Sequence, residues 1–112
     1  MKDLEASAFQ KRPCYRYVRE SDHIPTLFGI DAIRDPVAHV KLFNPSGSGS
    51  WYIAAYDPES RIAWGMADIW VGEFELGEFD MQELSDYRGP YGLPLERDLH
   101  WTPRPLSSCA GS

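Results

Sequence analysis

The chain has 112 residues, 43% of them hydrophobic and 25% charged, with a formal net charge of −6 at pH 7. That length suits a single domain with one core, held without metal or disulfide staples. An aromatic share of 13% excludes a disordered chain, and the acidity disfavours direct nucleic-acid binding, which takes clustered Lys and Arg.

The charge is polarised. Between Asp57 and Asp86 stand nine acidic residues against one base, Arg61, whereas Gln10 to Arg19 holds four bases and no acid. Such runs read as two solvated faces of opposite sign or as a partner surface. Cys14 and Cys109 lie near the two ends without the spacing of a metal or redox pair. The start, MKDLEASAFQKR, has no apolar signal-peptide core, and no apolar run approaches the roughly 18 residues of a membrane span. The expectation is a cytoplasmic protein with reduced thiols, no cofactor and no membrane contact.

In chain order, residues 1–10 offer a frayed helical turn stopped by Pro13. Tyr15, Tyr17 and Val18 interleave with Arg16 and Arg19, as in a short extended segment; basic residues beside aromatics are also how single-stranded nucleic acid is gripped. Ile24, Leu27, Phe28, Ile30 and Ile33 are spaced like one side of an irregular or short helical segment docked on the core. Ala38, Val40 and Leu42 then alternate with His39 and Lys41, the period of a half-buried strand. The SGSGS run after Asn44-Pro45 is short enough to be a hairpin loop.

Residues 51–56, WYIAAY, are apolar on both faces and predict a central strand covered on both sides. Asp57-Pro58-Glu59-Ser60 supplies turn chemistry. From Ile62, large residues (Ile62, Trp64, Met66) alternate with small ones (Ala63, Gly65, Ala67). Phe74 and Leu76 alternate with Glu73 and Glu75 in a fourth strand, and Phe79 falls out of step after Gly77, as at a bulge. Asp80 is placed to cap a helix of about two turns, with Glu83 three residues on and Met81, Leu84 and Tyr87 as its buried stripe. Arg88 suits the helix's negative end, Gly89 a left-handed stop, and Pro90 bars continuation. Leu95 to His100 alternates again, which allows a short last strand. Four strands joined by short turns predict an α+β fold: a four- or five-stranded antiparallel meander with short helices before and after it.

The segment GEFDMQELSDYRGPYGLPLERDLHWTPRPLS, with the upstream Pro36 to Phe43 run, the Trp51-Tyr52 pair and Asp57, resembles the bacterial domain-of-unknown-function family 2958. The likeness covers residues 24–106, which leaves 1–23 as an N-terminal extension and 107–112 as a frayed tail of one domain. The resemblance implies a short protein carried by plasmids, phages and other mobile elements, with no activity attached. Members often show Thr-Glu after the Trp-Tyr pair; here Ala54-Ala55 stand at that place, so no carboxylate there takes part in catalysis.

Two surfaces are candidates for function. Glu96 and Asp98, at i and i+2, share one strand face as paired acid/base groups need, with Arg88, Arg97 and His100 close in sequence. The competing reading is that Arg88 and Arg97 tie down the GPYGLP loop. The small residues Ala54, Ala63, Gly65 and Ala67, bordered by Tyr52, Tyr56, Trp64 and Trp70, form either a ligand trough or the seat of a helix. His23, His39 and His100 lack ligand spacing, so no metal site is expected. The leading reading is a non-enzymatic binding module whose partner is a host or element-encoded protein. The rivals are a small hydrolase or transferase at Glu96, Asp98, Arg88 and Arg97, and a homodimer through an exposed sheet face.

Overall fold

The structure, a computed structural model, describes residues 4–5, 16–70, 73–89 and 92–109. Near the N-terminus, β1 (Leu4–Glu5) pairs antiparallel with β2 (Arg16–Val18). Leu4 and Glu5 are therefore extended, where a helical turn is the sequence expectation; the other residues of that expected turn lie outside the described ones, as does Tyr15. Then come β3 (Val37–Ala38), β4 (Val40–Phe43), β5 (Ser50–Asp57), β6 (Ile62–Trp70) and β7 (Glu73–Asp80). The helix α1 (Met81–Asp86) follows, and β8 (Glu96–Arg97) and β9 (Arg104–Pro105) close the chain.

The main sheet is antiparallel in the order β7-β6-β5-β4-β8. Strands β4 to β7 are the expected meander, and β8 returns to cover the outer side of β4, Leu42 opposite Arg97. A separate two-stranded sheet pairs β3 with β9, Val37 opposite Pro105. The expected helices before and after the sheet are corrected to 3₁₀ turns at Glu20–Asp22, Ile30–Ala32 and Leu106–Ser108; α1 is the one α-helix among the described residues.

Both faces of β5 are covered, as its two-sided apolar pattern requires. On one face Val40, Leu42, Ile53, Tyr56 and Ala63 pack with Tyr17, Ile24, Met81 and Leu95. On the other, Ala38, Tyr52, Ala54 and Met66 pack with Leu106 and Cys109 from the C-terminal tail. We call these the helix face and the tail face. A bulge makes this division possible. Ile53 pairs with Gly65 and Ala55 with Trp64, so Ala54 is the extra residue and Tyr56 shares a face with Ile53 rather than with Ala54.

The bulge swings the Tyr52 carbonyl over β6, where a side chain at position 65 has no room. A Cβ there would sit 1.8 Å from that oxygen, so the strand takes glycine. At Gly77, by contrast, the register with Gly65 runs on unbroken, which corrects the expected bulge. Phe79 changes step because β7 serves both faces, Phe74 the tail face and Phe79 the helix face.

The helix start matches its sequence signal: Asp80 Oδ1 accepts from the Gln82 N–H at 2.8 Å. Its end does not. Tyr87 is extended, and the left-handed position falls at Gly92 (φ 72°) instead of Gly89. Gly89 donates its N–H to the Leu93 carbonyl at 2.8 Å, folding the loop back on itself.

Candidate functional site

The carboxylate–arginine group expected around β8 is built into the framework. Pairing with Leu42 directs Arg97 to the helix face, away from its neighbours Glu96 and Asp98. There its guanidinium forks onto Asp22, Nη2 to Oδ1 at 2.6 Å and Nη1 to Oδ2 at 2.7 Å, and also donates to the Tyr17 carbonyl at 3.2 Å. The two side chains are only 12% and 11% exposed. Burial raises the Asp22 carboxyl, but the Arg97 fork and the Arg19 N–H outweigh it and hold the group below its ordinary value.

Arg88 donates to the carbonyls of Ser85 (3.2 Å) and Tyr87 (2.6 Å), closing the end of α1. Arg88 and Glu96 both act on the Tyr17 phenol, which burial pushes up to about 12 and whose hydroxyl donates to the Leu95 carbonyl at 2.6 Å. Asp98 turns its carboxylate back to the His100 N–H at 2.9 Å. Arg88, Glu96 and Arg97 thus surround Tyr17, while Asp98 turns to its own loop. Asp22 and Tyr17, which organise this corner, carry no local signal: they lie 75 and 78 residues from the groups they bind. His39 sits near this corner, its imidazole held below the usual value by burial, with Asp22 pulling the other way.

The aromatic candidates are also separated. Tyr52 and Tyr56 are buried on opposite faces, Tyr52 against Trp101 and Tyr56 in the helix-face cluster. Of the small residues, Ala54 lies in the tail-face cluster, whereas Ala63 lies in the helix-face cluster and Gly65 and Ala67 follow it on that face, so the four do not line one trough. The Trp70 side chain lies outside the described residues.

Among the described candidates, Trp64 reaches an open surface. It lines a groove of about 460 Å³ on the tail face with Ile33, Met66, Phe74, Leu76 and Leu106. A smaller hollow of about 270 Å³ adjoins it, lined by Leu27, Ile30, Trp64, Gly77 and Glu78. One wall is pinned by Asp35, whose carboxylate accepts from the Ser107 N–H (3.1 Å) and hydroxyl (2.6 Å). At the Phe74 end, Asp68 holds a buried carboxylate oxygen with no hydrogen-bond partner among the described residues. The sequence pattern marks Trp64 and Met66, and Phe74 and Leu76, as apolar rows without placing them on one open surface. Leu76 is in fact 64% exposed, and Phe28, next to Leu27, is 97% exposed. Among the described residues no group of three or more His, Cys, Asp or Glu gathers to hold a metal ion, and no helix is long and apolar enough to cross a membrane.

Fold and groove together define a small antiparallel-sheet protein with an apolar cleft on one face. The chain belongs to the family described as protein of unknown function (DUF2958), whose model matches residues 17–111. The match starts upstream of Ile24 and so takes in Tyr17 and Asp22, the residues that anchor β8. No curated protein and no solved structure matches the chain.

Proposed function

We propose that this is a small, non-enzymatic binding protein that works through the Trp64 groove. The observation that carries this reading is an apolar cleft of about 460 Å³ beside Leu76, a large side chain left 64% exposed. Exposed apolar patches bordered by polar residues mark interaction sites on soluble domains. The mobile-element setting implied by the resemblance makes a host or element-encoded protein in the cytoplasm the partner class to look for.

Two rival readings have less support. A hydrolase or transferase at Glu96, Asp98, Arg88 and Arg97 needs those groups to converge on a cleft, whereas Arg97 is committed to Asp22 and Arg88 to the end of α1. A homodimer through the WYIAAY strand needs an open face of β5, and both its faces are packed.

The test is site-specific photo-crosslinking in bacterial cells, with the probe at Leu76 or, as a control, at Glu59 in the β5–β6 turn. The expected result is a discrete heterologous adduct from position 76 and none from 59. Identical adducts from both positions, or only self-adducts from 76, would overturn it.

A further inference from the structure

Strand β7 ends the sheet. Among the described residues no strand pairs with its outer side, which leaves an eight-residue edge without a ladder partner there. Long edges of this kind are templates for an added strand unless their side chains repel it. The side chains here are selective rather than uniformly repellent. Toward the tail face β7 offers Phe74 and Leu76 beside the groove, with Glu78 next in that row. Toward the helix face it offers Glu75, exposed, and then Gly77, above which a Cβ would meet nothing within 4 Å.

We propose that the β7 edge accepts an extended segment of a partner protein in which basic residues alternate with apolar ones. This rests on the groove reading and specifies its ligand. In an added strand successive side chains point to opposite faces. Apolar residues on the tail face lie over Leu76 and into the groove, with Trp64 on its floor. Basic residues on the helix face meet Glu75, and the open space at Gly77 admits a long side chain; a further base at the end of the apolar row meets Glu78. Backbone pairing supplies affinity, and the alternation supplies selectivity.

A second copy of this chain is the wrong occupant. Its edge carries the same Glu75 and Glu78, so it offers no base to pair with either acid, and the registers that set one of them opposite its copy are destabilised. The charge on the edge points the same way: Glu75 and Glu78 are both exposed there and call for bases opposite them.

The experiment uses the full chain and synthetic peptides of about eight residues, the length of β7. One peptide alternates Lys and Val, a second has the same composition in two blocks, and a third alternates Glu and Val. The alternating Lys/Val peptide is expected to bind at least about tenfold more tightly than the block peptide and to slow amide hydrogen exchange across residues 73–80. Glu75→Lys weakens it about fivefold and shifts preference toward the Glu/Val peptide. Equal binding of the alternating and block peptides would reduce the effect to bulk charge and overturn the proposal. So would binding without slowed exchange in β7, or a peptide-free dimer in sedimentation whose β7 amides are already protected. If β7 does not respond while the Leu76 crosslink persists, the edge proposal fails and the groove reading stands; if the crosslink is also lost, both fail.

Discussion

Gly65 and Gly77 face each other across the β6–β7 ladder, yet the same substitution at the two positions is expected to have opposite effects. A Cβ on Gly65 would lie 1.8 Å from the Tyr52 carbonyl oxygen and 2.9 Å from its carbon. An ordinary carbon–oxygen contact is about 3.3 Å or longer. Gly65→Ala must therefore push β5 and β6 apart by roughly 1.5 Å, enough to break ladder hydrogen bonds set at about 2.9 Å. Overpacking of this kind costs about 3 kcal/mol, and each lost ladder bond about 1 kcal/mol more. Against a total stability of about 5–15 kcal/mol that is a large fraction. At Gly77 nothing lies within 4 Å of the added methyl and the backbone is not left-handed. Gly77→Ala then restricts the unfolded chain and stabilises by about 0.5 kcal/mol. Urea unfolding reads both: with a slope near about 1.5 kcal/mol per molar, Gly65→Ala lowers the midpoint by about 2 M while Gly77→Ala leaves or raises it. Similar shifts for the two variants, or a Gly65→Ala protein within about 0.5 kcal/mol of the parent, would refute the bulge argument.

The Asp22–Arg97 fork predicts that Arg97→Ala costs about 2 kcal/mol, since it removes charge-assisted bonds from a mostly buried carboxylate. The folded Asp22 pKa is depressed, so this contribution is full above the unfolded value of 3.8 and fades as pH falls through the lower folded value. The gap between parent and Arg97→Ala in thermal unfolding should stay constant from neutrality to about pH 4 and close below it; a gap that widens in acid would refute the assignment. Tyr17→Phe removes the donor to the Leu95 carbonyl and should cost about 1–2 kcal/mol. The folded Tyr17 pKa is raised, from 10.0 to about 12, so its stabilising effect is full below pH 10 and is lost as pH rises to about 12. Chemical unfolding over that alkaline range should show the phenylalanine variant losing stability less steeply than the parent; parallel losses would count against a buried phenol.

Much of the fold is legible locally because strand period and turn chemistry are short-range properties. The alternation at Val40–Phe43, the two-sided apolar run at Trp51–Tyr56 and the Asp80 cap all predict what forms there. The meander follows, since consecutive antiparallel strands need only short turns. Where two faces compete for one strand, the local pattern misleads: Phe79 reads as a bulge at Gly77, although the register is unbroken there and a bulge sits two strands away at Ala54. A bulge in β5 leaves its trace on β6, as the glycine at 65, and no rule within one strand reveals that.

The candidate site follows the same division. Glu96, Arg97 and Asp98 look like a cluster in sequence, but strand alternation sends the arginine to one face and its neighbours to the other. What Arg97 binds is decided by tertiary packing, because Asp22 arrives from 75 residues away. Likewise the sequence marks Trp64, Met66, Phe74 and Leu76 as apolar without saying whether they are covered. Apolar periodicity reports which side chains share a face, and the tail and the 33–36 loop settle how far that face is closed. By itself the sequence determined the family, the meander and the helix start, which rest on contacts within a few residues. Only the tertiary structure decided the partners of the charged groups, the division of the small residues between two faces, and the open groove beside β7. Those depend on where distant segments come to rest against the sheet.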